Sequence, residues 1–149
     1  MADSDENRTI ADPSEVQWVA EQRSIVVAYL SAQHCDHAGV SIEPRWFLHP
    51  YLAIWAVRSK TSAGLIGWWA ISGDVPTDYM TATREIRCSA DVLDVFGGRW
   101  SKSADAMSRG EYVGIGDPET VTELAPLLAK RAIMLQELAM DERSAENGG

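Results

Sequence analysis

The sequence predicts an α+β fold: a three-stranded antiparallel meander packed with about three helices in a single domain. Two apolar segments, Leu52 to Ser59 and Leu65 to Ser72, are rich in Ile, Val and Trp. They flank a TSAG turn that supplies the glycine a tight hairpin needs. Helix-spaced apolar residues precede and follow this pair. A chain of 149 residues, 46% hydrophobic and 23% charged, is also long enough to build one core without a disulfide or metal staple.

Residues 1–12 are charged and almost free of large apolar groups, so a disordered tail is expected there, with the ordered domain over 13–141. A first helix is placed from Ser14, its N-cap with Pro13 just outside, to about Ala32 or Gln33. Val16, Val19, Val27 and Leu30 are expected on its inner stripe. Gly39, Pro44 and Pro50 break the next segment, HCDHAGVSIEPRWFLHP, into a loop. In the hairpin, pairing Lys60 with Leu65 sets Trp55 across from Ala70, Ala56 from Trp69, Val57 from Trp68 and Arg58 from Gly67. Each ring then meets a small or compact neighbour. Both faces are apolar, so the hairpin is either covered on two sides or has one face awaiting a partner. Met80 to Cys88 alternates in polarity and is read as a third, edge strand. Ser89 caps a helix over about 90–108, with Val92, Phe96, Trp100 and Met107 inward; Gly97 and Gly98 mark a kink or a close crossing. After the loop GEYVGIGDP, Asp117 and Pro118 suit a helix start. The last helix carries Leu124, Leu127, Leu128, Leu135 and Leu138, and Pro126 is tolerated if the helix proper begins around Glu123. Residues 142–149 are expected to form a flexible tail.

Charge and hydropathy narrow the function classes. The 13 basic residues are scattered among 22 acidic ones, for a net charge of −9, and phosphate binding needs clustered Lys and Arg. No nucleic-acid role is expected. The longest apolar runs are about seven residues, against roughly 20 for a membrane-spanning helix. The N-terminal stretch lacks a signal-peptide pattern, so a cytoplasmic location without membrane association is expected. Cys35 and Cys88 form no spaced framework and are expected to be reduced.

The loop SGDVPTDY places Asp74 and Asp78 four residues apart, followed by Tyr79 and then Arg84. Two nearby carboxylates can divide acid and base roles or hold a hard cation. Equally, they can satisfy backbone N–H groups in turns set by Gly73 and Pro76. His34, Cys35, Asp36 and His37, with His49 further on, resemble metal ligands but lack the distant second pair that zinc sites use. A solvated helix end is the plainer reading, and neither metal nor cofactor is expected. There is no GxSxG elbow, and GEYVGIG lacks the GK[ST] ending of a P-loop, so no catalytic residue is assigned. Trp46, Trp55, Trp68, Trp69 and Trp100 remain. As strand neighbours, Trp68 and Trp69 point to opposite faces; a ring on an open face could anchor a protein partner, while rings on covered faces are core. The candidate binding residues are therefore Trp55, Trp68, Trp69, Asp74, Asp78, Tyr79 and Arg84.

The segments YLAIWAVRSK, GLIGWWAISGDVPTDY, FGGRW, MSRGE, IGDPE and ELAPLLAKRA, in that order, resemble a bacterial family described only as a domain of unknown function. The likeness spans about residues 15–140, with the signature IGWW-x-I-SGD-x-PTDY; the polar N-terminal tail and HCDH depart from it. The resemblance implies a compact cytoplasmic bacterial protein and transfers no activity and no site residue. Small size, acidic balance, the Trp-rich hairpin and the missing catalytic set point to a non-enzymatic protein-binding module. Such a module would be a regulator or an immunity-type neutraliser of a basic toxin, and a homodimer would use the same exposed face. The alternative is a small-molecule binder or hydrolase built on the Asp74/Asp78 loop with Tyr79 and Arg84.

Overall fold

Asp12 starts the first helix, α1 (Pro13–Ala32). Its Oδ1 accepts the Ser14 N–H at 2.9 Å and its carbonyl accepts the Val16 N–H at 3.0 Å. Pro13 takes the first helical position, where its missing N–H is no loss, and this makes Asp12 the cap in place of the expected Ser14. The structure, a computed structural model, describes residues 12–62, 64–111 and 121–148. Of the tail expected over 1–12, residues 1–11 lie outside the described residues, as does the helix start expected at Asp117 and Pro118, while Asp12 belongs to the helix cap. The chain forms two compact units that divide between Thr83 and Arg84. No helix among the described residues is long and apolar enough to cross a membrane.

In the first unit, α1 buries Val19, Gln22, Val26 and Leu30, a 3–4–4 spacing that makes one helical stripe. Val16 and Val27, expected inward, are exposed, because Val26 rather than Val27 continues the stripe from Val19. The helix ends with His34 at φ 59°, the Cys35 N–H returning to the Leu30 carbonyl and the His34 N–H to that of Ser31. That is a Schellman ending with histidine in the position glycine usually takes.

The strands β1 (Gly39–Val40), β2 (Trp46–Leu48), β3 (Leu52–Arg58), β4 (Ile66–Gly73) and β5 (Asp78–Thr81) form one open antiparallel sheet. β3 pairs with β4 on one side and with both β1 and β2 on the other, while β5 pairs with β4. The class is α+β as expected, but the sheet has five strands rather than three. The extra two arise in the segment read as a loop. Its Gly and Pro residues do interrupt the chain, yet β3 offers a ladder to the short pieces between them, and strands of two and three residues carry no readable period. The edge strand also moves: β5 is Asp78–Thr81, not Met80 to Cys88, because its ladder on β4 runs from Ile71 to Trp68 and closes with Ala82 N–H on the Gly67 carbonyl.

The central register is the expected one, with Trp55 across from Ala70, Ala56 from Trp69 and Val57 from Trp68. Beyond Val57 it slips: Arg58 pairs with Ile66, and Gly67 becomes the extra residue of a bulge rather than the partner of Arg58. A Cβ on Gly67 would stand 3.2 Å from the Ser59 Cα. Ala53, Trp55, Val57 and Ala70 form a core with Val19, Val26, Leu30 and Val40, joining the α1 stripe to one face of the sheet. Leu52, Ile54, Ala56, Trp69, Ile71 and Met80, which point the other way, are buried too.

The second unit holds α2 (Ser89–Ser108) and α3 (Val121–Gly148). The buried residues of α3 alternate Ala125, Leu128, Ala132, Leu135 and Ala139, a seven-residue seam in which alanine allows close approach. Gly97 is the matching gap on α2: a Cβ there would stand 2.9 Å from Gln136 Cγ and 3.1 Å from the Ala132 carbonyl oxygen, whereas Gly98 faces open space. The glycine pair thus marks a close crossing, and α2 continues through it. Gly97→Ala is expected to destabilise by about 1–2 kcal/mol and Gly98→Ala to stabilise by up to about 1 kcal/mol, compared by urea midpoints. Pro126 lies inside α3, which starts two residues before the expected Glu123.

Arg143 near the end of α3 pairs with Asp91 Oδ1 at 2.9 Å and with Asp94, so the helices run antiparallel. The Arg87 N–H donates to Asp91 Oδ2 at 2.8 Å. That backbone bond, with Arg143 adding to it, holds the Asp91 carboxyl below its usual range. A depressed carboxyl stabilises the fold above its unfolded pKa of about 3.9 and loses that contribution as pH falls through the lower folded value. Asp91→Asn is therefore expected to be less stable than wild type at neutral pH, with the difference shrinking below about pH 4 in urea titrations.

Candidate functional site

The hairpin tryptophans are engaged in packing. Trp55 is fully buried, and its indole Nε1–H donates to Ser72 Oγ at 3.1 Å on the same face of the sheet. Trp69 is 5% exposed, with the Arg45 guanidinium carbon 5.5 Å from its ring centroid. Its buried Nε1 has no partner among the described residues. Trp68 is half-buried against the α1 core. Of the two openings left by the sequence, the structure takes the covered one for Trp55 and Trp69.

The SGDVPTDY loop is braced by backbone. Gly73 lies at φ 128°, and the Asp74 N–H donates to the Tyr51 carbonyl at 2.7 Å. Asp78 Oδ1 accepts the Tyr79 N–H at 2.8 Å. Asp78 and Tyr79 are consecutive on β5 and so project to opposite faces of the sheet. The Tyr79 ring meets Tyr29 of α1 edge-on, with centroids 5.9 Å apart. Arg84 is exposed and opens the second unit.

The HCDH segment is also tied into local structure. The Asp36 carboxylate pairs with Lys60 at 2.7 Å, and His37 Nδ1 accepts the Gly39 N–H at 2.9 Å. Burial, with Asp36 next to it, pushes the Cys35 thiol up from its ordinary range, away from the reactive thiolate. His49 stacks edge-on against Trp18, with centroids 5.2 Å apart. Among the described residues no three His, Cys, Asp or Glu side chains come together as a metal site.

A concave site lies elsewhere in the first unit. α1 and the bend after β1 enclose a groove of about 530 Å³, walled by Val16, Val19, Ala20 and Ile42 and edged by Arg23 and Glu43. Arg23 shapes it: Nε donates to the Ser41 carbonyl at 3.0 Å and Nη2 to that of Val40 at 2.8 Å, fixing the bend against the helix. Ile42 is 80% exposed and Val16 49%, so the groove wall is apolar and open to solvent. Sequence reasoning missed this site. The signal available was a single isoleucine between Ser41 and Glu43 inside a supposed loop, where nothing local requires an apolar side chain. A smaller hollow of about 470 Å³ lies along α3 beside Met134, Leu138 and Met140, formed by one helix alone.

The family description "Domain of unknown function (DUF4826)" matches residues 12–144. No curated protein and no solved structure matches the chain.

Proposed function

The chain belongs to the DUF4826 family, and from that premise, which carries no activity with it, we propose a non-enzymatic protein-binding module. It would act as a small regulator or immunity-type neutraliser in the bacterial cytoplasm. The observation that carries this reading is the α1 groove, whose wall includes Ile42, at 80% the most exposed large apolar side chain among the described residues. The binding surface moves with it, from the tryptophan face to Val16, Ala20 and Ile42. The opposite projection of Asp78 and Tyr79 does not favour the reading as a hydrolase or small-molecule binder.

The test is affinity capture after cross-linking in cells, with wild type and Ile42→Asp side by side. Wild type is expected to recover a protein partner, and Ile42→Asp about tenfold less of it, with an unchanged thermal midpoint. A recovered set indifferent to both Ile42→Asp and Val16→Asp would end this reading.

A further inference from the structure

The turn from α1 into β1 is closed by an imidazole. His37 Nδ1 accepts the Gly39 N–H at 2.9 Å in a half-buried position. A backbone amide can only donate, so Nδ1 carries a lone pair, and His37 is neutral with its proton on Nε2. Gly39 opens β1 at φ 138°, a conformation that favours glycine. The rest of the turn is held by groups that do not change charge with His37. The Cys35 N–H returns to the Leu30 carbonyl, and the Ala38 N–H donates to the Arg58 carbonyl, both at 3.0 Å.

We propose that His37 is an acid-released latch on the entry to β1. A proton taken from solvent onto Nδ1 turns the acceptor into a donor that faces the Gly39 N–H, and the bond between them is lost. Its contribution is present while the imidazole is neutral and disappears as pH falls through the titration of His37. Titratable and charged groups of several elements surround this turn. Its own segment supplies His34, Cys35 and Asp36, and Lys60, just beyond β3, holds Asp36 at 2.7 Å. Arg58 of β3 packs on Gly39, its Nη2 3.3 Å from where a Cβ would lie, and Arg23 of α1 binds the next two carbonyls. Lys60 already pairs with the one carboxylate of this set, so the charged imidazole gives up the Gly39 bond without gaining an ion pair here. β1 runs directly into the bend that carries Ile42, so release of Gly39 loosens one wall of the α1 groove. That consequence rests on reading the groove as a binding surface; the latch itself does not.

The experiment is an NMR titration of the full chain from about pH 8 to about pH 5, the span over which imidazoles charge. At the alkaline end the imidazole nitrogen shifts are expected to place the His37 proton on Nε2. As His37 charges, the Gly39 amide signal should shift with it. Exchange of that amide with solvent, corrected for its intrinsic pH dependence, should quicken at least about tenfold. His37→Asn sets a side-chain oxygen where Nδ1 stands, and should keep Gly39 protected at both ends of the range. His37→Ala should leave it exchanging fast at both. A His37 that carries its proton on Nδ1 at the alkaline end overturns the proposal. So does a Gly39 amide indifferent to the charging of His37, or an equal acid response in His37→Asn. The wild-type titration needs no variant, so the test survives a substitution that fails to fold. Capture of a partner through the groove does not enter these readouts, and the latch and the binding function above stand or fall separately.

Discussion

Gly73→Ala is expected to lose at least about 3 kcal/mol of stability, and the variant is expected to be recovered mainly as unfolded or aggregated chain. A Cβ at this position would sit 2.1 Å from the Tyr51 carbonyl oxygen and 2.9 Å from the Leu52 Cα. Both obstacles are backbone, so no rotamer change relieves them. The φ of 128° adds a second penalty, because a side chain rarely adopts that conformation. The close approach exists because the Asp74 N–H bonds the same Tyr51 carbonyl at 2.7 Å, pulling the end of β4 onto the start of β3. Gly64→Ala is the control: its φ is 83° but nothing stands within 4 Å, so only the conformational cost of about 1–2 kcal/mol is expected. Urea midpoints with unchanged m-values would measure both. A Gly73→Ala protein as stable as wild type would refute the packing account of the SGD turn.

Trp55→Ala is expected to cost about 3–5 kcal/mol, the range for emptying a buried aromatic site. The ring is fully buried between α1 and its cross-strand neighbour Ala70, and it is the hydrogen-bond donor to a fully buried Ser72 hydroxyl. Losing it strands that oxygen, a further penalty of about 1–3 kcal/mol. Trp55→Phe should recover most of the packing and none of the bond, and Trp68→Ala, at a half-buried site, should cost clearly less than Trp55→Ala. Equal losses at Trp55 and Trp68 would contradict the assignment of Trp55 to the core.

What could be read from the sequence was what neighbouring residues decide among themselves. The hairpin centre follows from matching Trp55 and Trp69 with alanines across the ladder, a local size rule. The close helix crossing follows from Gly97, although only the structure distinguishes it from Gly98. Elements stabilised by distant partners were out of reach. Trp46–Leu48 is a strand because β3 is there to bond it, not because of its own pattern. The turn of the α1 stripe from Val27 to Val26 is set by the sheet beneath it. The groove was illegible for the same reason, since Val16 and Ile42 lie 26 positions apart and meet only after folding. The resemblance to a domain family, by contrast, was carried by local words such as IGWW and SGD and emerged at the level of a family of unknown function.

The Arg23 contacts to Val40 and Ser41 have a consequence for aggregation. A hairpin as rich in Ile, Val and Trp as β3–β4 is the kind of segment that grows into fibrils when its outer neighbour offers a long, flat template. Here that neighbour is broken into pieces of two and three residues, split by Ile42–Pro44, and two of its carbonyls are already held by a guanidinium. Arg23 thus serves as a gatekeeper. Without it the stretch from Gly39 to Leu48 would be freer to straighten and recruit further chains, and seeding assays on Arg23→Ala would expose that hazard before any loss of fold became visible.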